Sequence, residues 1–507
     1  MISTLHISSP AQKPTNVRYT VLAFACALSA ITYLDRVCIG SAVPYLLEAL
    51  GLDPKRPEQL AWALTAFSIA YAVFEVPSGW LGDRFGPRMV LIRIVLWWSV
   101  FTAATSLTTK SFIGPQFGFW SLVAMRFLFG MGEAGAYPNI TRALHNWFPF
   151  KQRGLAQGAV WMAGRGMGGL TPLLWMFLVK GIVATSAGED SREMTMPPLL
   201  KPLAELLDLD IWRVSFLIFG VIGLLWCLLF AWWFRNHPQQ KQSVNEAELE
   251  LIQAGRLGTE EGHGNTPWFK LLTDRNLWAL CLMYFCASYA WYFNINYLPM
   301  CLEEQYGVKT GNILGAIYKG GPLWMGALAC LLGGFLTDWF IRRTGDRKWG
   351  RRLFGLIGHG LCALCYLACM AAPSALTFFL AISFAAFFND LTMGASWATC
   401  QDIGRRYSAT VAGCMNTIGN LGGAVGTFIT GVILTQAVKA YENAHGIAIE
   451  AMQASSSAPD RLAADEALKA AHWPGYQLSL LSFAGVYFVG VLLWLFIDAT
   501  RPVAEDA

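Results

Sequence analysis

Charge is what this sequence has least of. Of its 507 residues only 14% are Asp, Glu, Lys or Arg, where a soluble domain carries roughly 25%. So few charges cannot cover a globular surface of this size. The formal net charge of +4 is too small to suggest nucleic acid as a partner, and no basic run with interleaved aromatics builds a nucleic-acid surface. A disulfide framework is missing too. The 12 cysteines are scattered, most of them inside apolar runs, as at Cys26, Cys227, Cys281, Cys286 and Cys330. Cys362, Cys365 and Cys369 beside His359 have a metal-like spacing, but the stretch around them reads as one continuous apolar helix. They read as small core-filling side chains, so no metal and no cofactor is expected. There is no Gly-x-x-x-x-Gly-Lys-Ser/Thr phosphate loop, so nucleotide hydrolysis is not the energy source. An enzyme would need a nucleophile–base pair or a metal cluster, and the sequence offers neither. Residues 1–18 are polar and lack the basic, apolar and small-residue pattern of a signal peptide, so the first apolar segment is expected to stay in the protein.

What the chain has in abundance is long apolar runs. Its hydrophobic content is 55%, and 21 tryptophans contribute to an aromatic share of 14%, as in a protein whose rings lie at two lipid–water boundaries. A helix that crosses the hydrocarbon core needs about 20 apolar residues. Twelve segments meet that length: 19–44, 60–81, 89–108, 118–141, 155–180, 212–234, 276–299, 312–336, 353–372, 375–400, 411–435 and 476–499. The expected fold is an all-α, multi-pass membrane protein. With the N-terminus placed inside, 22 of the 37 basic residues fall in cytoplasmic segments and 12 outside, with Arg36, Arg126 and Arg165 inside spans. Both termini are therefore expected in the cytoplasm.

The chain divides into six plus six spans. Residues 1–17 and 501–507 read as cytoplasmic tails, 18–237 and 271–500 as two six-helix bundles, and 238–270 as a polar cytoplasmic linker. Residues 437–475 read as a long external loop with a short surface helix. Internal similarity supports the split. Gly79-Trp-Leu-Gly-Asp83-Arg84-Phe-Gly-Pro-Arg88 follows span two, and Gly333-Gly-Phe-Leu-Thr-Asp338-Trp-Phe-Ile-Arg342-Arg343 follows span eight. Glycines there allow a tight turn, and an aspartate can pair with arginines or meet a helix N-terminus. Such a charge lock would close the two halves on one side.

Those glycines and charges match the loop-2/3 signature of the major facilitator superfamily. Tyr33-Leu-Asp35-Arg36, Arg126-Phe-Leu-Phe-Gly-Met-Gly-Glu133, Trp147-Phe-Pro with Arg153-Gly, and the stretch from Trp397 through Asn416 and Asn420 resemble its anion:cation symporter family. That resemblance covers about residues 18–500. It implies a twelve-helix fold, alternating access and organic-anion substrates, often moved with protons. Sugar acids such as hexuronates or aldonates come first by resemblance; aromatic carboxylates and dicarboxylates stay open. The runner-up reading is an uncoupled organic-anion facilitator or a proton-driven exporter.

The residues make the same case on their own. A charge inside a span costs about 2.5–3.5 kcal/mol even on the mild insertion scale, so Asp35, Arg36, Arg126, Glu133 and Arg165 should face a cavity or a partner. Arginine holds a carboxylate bidentately and stays charged, which suits Arg36, Arg126 and Arg165 to an anionic substrate. Buried carboxylates suit proton coupling, because desolvation favours their neutral form and a nearby cation their charged form; Asp35 and Glu133 are the candidates. Tyr33 and Tyr71 could bond substrate hydroxyls, and Trp397, Asn416 and Asn420 lie on expected cavity helices, as do Asn294 and Asn296. Gly79, Asp83, Arg84, Arg88, Asp338 and Arg342 are the expected lock, with Glu75 supporting it. Asp390 is an isolated charge in span ten with no role that the sequence assigns. The expected partners are a small organic anion, protons and the bilayer of the cell's inner (plasma) membrane, with the protein a monomer.

Overall fold

In hydrocarbon a chain must satisfy its own backbone, so each apolar run becomes a helix. The computed structural model describes residues 13–52, 61–108, 115–185, 193–254, 266–308, 313–453 and 457–503. Most of the N-terminal tail, residues 255–265 of the linker and the last four residues lie outside that set. Twelve spans form the bundle. They are α1 (Val17–Leu50), α2 (Ala61–Phe85), α3 (Pro87–Thr105), α4 (Pro115–Glu133, resumed at Ala136–Trp147), α5 (Arg153–Trp175, ending in a π turn) and α6 (Ile211–Trp233). The second half holds α7 (Arg275–Trp291, with short helices to Tyr306), α8 (Ile313–Thr344), α9 (Arg347–Met370), α10 (Ala375–Leu391, resumed at Met393–Gly404), α11 (Ser408–His445) and α12 (Ala458–Trp494). Length and apolarity alone single out seven candidate spans among the described residues; polar groups and breaks weaken the signal in the others.

The two halves repeat one packing scheme. In the first, α1 packs on α5, α2 on α4 and α3 on α6; in the second, α7 packs on α11, α8 on α10 and α9 on α12. The principal seams between halves are α5 on α8 and α2 on α11. The breaks repeat as well, in α4 and α10. In α4 the chain turns at Gly135, whose φ of +86° suits glycine and whose α-carbon lies against Ser78 too closely for a side chain. Leu225, Leu228, Trp232, Phe428 and Phe488 are exposed around the outside, a belt of the kind that meets lipid.

Three features outside the spans differ from expectation or were not foreseen. The segment 437–475 is mostly helix: α11 runs on to His445, a short helix covers Ile449–Gln453, and α12 already starts at Ala458. Its Ala, Leu, Glu and Lys are strong helix formers, and the extension buries Ile449, Ala464, Ala467 and Ala471 together. Between α5 and α6 a hairpin pairs β1 (Ile182–Thr185) with β2 (Glu193–Met196), antiparallel. In the linker, helix Glu246–Gln253 sets the buried Glu248 at the start of α1, where it accepts from Val17 N, Arg18 N and the Arg18 guanidinium. A carboxylate at a helix N-terminus is favourably placed.

Candidate functional site

Adjacent residues on a helix point about 100° apart, so Asp35 and Arg36 of α1 face different neighbours. Arg36 Nε donates to Glu133 Oε1 at 2.6 Å, just before the α4 break. The Arg36 guanidinium lies over the Tyr71 ring, 4.5 Å from its centroid. Its Nη2 has no partner among the described residues, and the side chain keeps 25% of its exposure. Asp35 turns the other way, 3% exposed, and both its carboxylate oxygens lack a hydrogen-bond partner among the described residues. The Arg126 guanidinium sits 5.1 Å from the Phe67 centroid and 4.6 Å from that of Phe129. In sequence Glu133 lies two turns along one helix face from Arg126, and Asp35 is next to Arg36. In the structure Glu133 bonds Arg36. Seven residues rise about 10 Å along one helix, too far for Arg126 to bond Glu133 directly, while Arg36 reaches it from α1.

A second pair crosses between the bundles. Arg165 of α5 grips Asp390 of α10 side-on, Nε to Oδ2 at 2.8 Å and Nη2 to Oδ1 at 3.2 Å. Its remaining nitrogen, Nη1, donates to the Tyr33 hydroxyl at 2.5 Å. Trp291 of α7 covers the guanidinium, 3.8 Å from ring centroid to carbon. Asp390 thereby gains the partner the sequence could not supply. Glu75 of α2 makes a third link, accepting from Asn416 and Asn420 of α11. The Tyr292 hydroxyl donates to Asn420 Oδ1 at 3.0 Å, so polar contacts run from Tyr71 across the seam to α7. Trp397 is fully buried: it packs on Trp161, 5.1 Å between centroids, and donates to the Tyr284 hydroxyl. With Tyr137 stacked on Trp161, it forms an aromatic floor. Asn294 is buried near the end of α7, and Asn296 is exposed and bonded to Thr427.

The expected lock lies at the end of the molecule where the start of α1 meets the linker helix Glu246–Gln253. Asp83, at the end of α2, accepts from Ala409 N, Thr410 N and the Thr410 hydroxyl at the start of α11. Asp338 of α8 does the same at the start of α5, accepting from Gly154 N and Leu155 N. Each half thus caps a helix N-terminus of the other. Gly79 lies against the Ala409 carbonyl too closely for a side chain. Arg142 and Arg351 pair with Asp83 and Asp338, and Arg153 and Arg351 share Asp402. Arg342 reaches the Lys151 carbonyl across the seam. Arg84 and Arg88 do not join the lock. Arg84 is exposed over Trp80 of its own helix, and Arg88 bonds the Ala231 carbonyl at the end of α6. Arg142, Arg351 and Asp402 were not singled out in the sequence, because their partners lie far along the chain.

Residues 25–427 match the family model described as Major Facilitator Superfamily. The chain belongs to this superfamily. It is 30% identical to a probable sulfoacetate transporter, SauU, of Cupriavidus necator, over 82% of this chain and 87% of that one. It is 27% identical to a probable galactarate/D-glucarate transporter, GudP, of Escherichia coli, over 86% of this chain and 91% of the other. These relatives place it in the superfamily's anion:cation symporter group, as its motifs suggest. Among solved structures, the superfamily proton:xylose symporter XylE aligns at a TM-score of 0.66 with 15% identity, over 96% of both chains, a likeness of fold. Superfamily members of this group are transporters, so the chain is a multi-pass membrane transporter and not an enzyme.

Proposed function

We propose that this chain is a proton-coupled symporter of a small organic anion, with a sugar acid as the first substrate class. It works by alternating access in the inner (plasma) membrane, both termini in the cytoplasm. The observation that carries the reading is the Arg36–Glu133 bond beside the unpartnered Asp35. Arg36 is the most exposed of the three arginines, so a substrate carboxylate docks there by displacing Glu133. Arg126, against Phe67, adds to the same positive field. A carboxylate parted from its arginine in a dry site takes up a proton, so anion and proton load together. Charge balance favours this. The central groups are three arginines (Arg36, Arg126, Arg165) and four carboxylates (Asp35, Glu75, Glu133, Asp390), and a further buried anion without a proton is costly. Tyr33, Tyr71, Asn416 and Asn420 offer groups for substrate hydroxyls, with Trp397 as floor. The names of the relatives, which carry sulfoacetate and aldarates, agree with an organic anion. The Asp83 and Asp338 caps hold the cytoplasmic side shut while the site loads, and their release opens it.

A thermal-shift screen of the purified protein against hexuronates, aldonates, aldarates and sulfoacetate tests the substrate class. At least one anion should raise the melting temperature of the wild type, and not that of Arg36→Ala. Stabilisation by neutral sugars alone would remove the organic-anion reading.

A further inference from the structure

Arg165 and Asp390 are buried in the seam between bundles, 225 residues apart in sequence. In sequence Arg165 stands with Arg36 and Arg126 as a candidate for binding an anion, and Asp390 has no assigned role. Their geometry is more specific than a latch requires. Asp390 presents both oxygens to the Nε–Nη2 edge of the guanidinium, the two-point grip that an arginine offers a free carboxylate or sulfonate. The other faces of the cation are already set: Tyr33 takes Nη1, and Trp291 covers the plane. Tyr33 lies one turn of α1 from Arg36, about 4.5 Å along the axis, so neighbouring turns of α1 carry Arg36 itself and the hydroxyl that holds Arg165. One turn outward from Arg165, Gly169 packs on the Trp324 indole, whose N–H has no partner among the described residues. That spare buried donor lies against the next turn of α5, and an unpaired buried donor suits a further anionic oxygen.

We propose that Asp390 is a stand-in for substrate: the transported molecule carries two anionic groups, one taken by Arg36 and the other by Arg165, where it replaces the Asp390 carboxylate. The inference rests on the organic-anion reading above and narrows it to dianions. Each end of the substrate then exchanges one internal carboxylate for one of its own, Glu133 at Arg36 and Asp390 at Arg165. Because Arg165 belongs to the first bundle and Asp390 to the second, the exchange also removes a bond that ties the bundles together. Substrate binding and release of the seam become one event.

The test uses matched pairs that differ in the second anionic group, galactarate against galactonate and sulfoacetate against acetate, with dissociation constants measured by calorimetry on the purified full chain at neutral pH. The wild type should bind the dianion of at least one pair about tenfold or more tightly than its monoanion. The double variant Arg165→Gln/Asp390→Asn removes both charges without stranding either, and it should lose most of that preference. Asp390→Asn alone leaves Arg165 unoccupied, so the preference should hold or grow. Monoanions binding as well as dianions in the wild type would overturn the proposal, and so would a preference that survives in the double variant. If no member of either pair binds while another anion of the thermal-shift screen does, the dianion proposal falls and the organic-anion reading stands; if no anion of that screen binds either, both fall.

Discussion

Replacing Asp35 by Asn, or Glu133 by Gln, keeps side-chain shape and removes the group that can carry a proton. Each change should abolish accumulation driven by a proton gradient, and at least one variant should still exchange substrate between pre-loaded compartments. Gradient-driven uptake by both at the wild-type rate would leave these carboxylates as structural ion-pair partners. Arg126 makes a different kind of contact, its plane set between Phe67 and Phe129. Lysine keeps the charge but not that plane, and a desolvated cation–π contact is worth about 2 kcal/mol. Arg126→Lys should therefore weaken apparent substrate affinity by about tenfold or more in a concentration series; an unchanged half-saturating concentration contradicts that role. At this scale the sequence showed which residues mattered by their cost: charges inside apolar spans stand out. It did not show who pairs with whom. Glu133 bonds Arg36 of α1, a neighbour that spacing along α4 cannot reveal. Asp390 looked isolated because its partner lies in the other half of the chain.

The seam helices are where motion and closure are built. Gly158 of α5 lies against the Cys330 carbonyl of α8, with no room for a side chain, and overpacking such a contact costs about 1–3 kcal/mol. Gly158→Val should hold α5 and α8 apart, lower the melting temperature and cut transport about tenfold or more. Wild-type stability and rate in that variant would show the close approach to be incidental. At the two caps, Asp83→Ala and Asp338→Ala each strip the partner from backbone N–H groups at the start of α11 or α5. Spin labels across the termini-bearing end should then report longer separations than in the wild type; identical distance distributions would mean the caps do not hold that end shut. The spans themselves were legible from apolar length, and the repeated Gly–Asp motif located both caps. The helical content of 437–475 was underread because its polar, Ala-rich composition gives no apolar stripe, although its helix propensity is high. The α4 and α10 breaks and the β1–β2 hairpin left no periodic signal.

For the molecule as a whole, α1–α6 and α7–α12 repeat one packing scheme, and the loop motifs and the polar linker suggest a division between them. Which side faces the cytoplasm follows from loop charge alone, so it needs its own test. Reporter fusions at residue 260 and at the C-terminus should both read as internal; an external signal at either would invert or break the twelve-span topology. Joint movement of anion and proton can be read in proteoliposomes of the purified protein, by following uptake of an anion that stabilises it with and without an inward proton gradient. Symport should give transient accumulation above equilibrium with the gradient and alkalinisation outside as substrate enters, and neither in Asp35→Asn. Equal uptake with and without the gradient, rising only to equilibrium, would contradict it and make the protein an uncoupled facilitator.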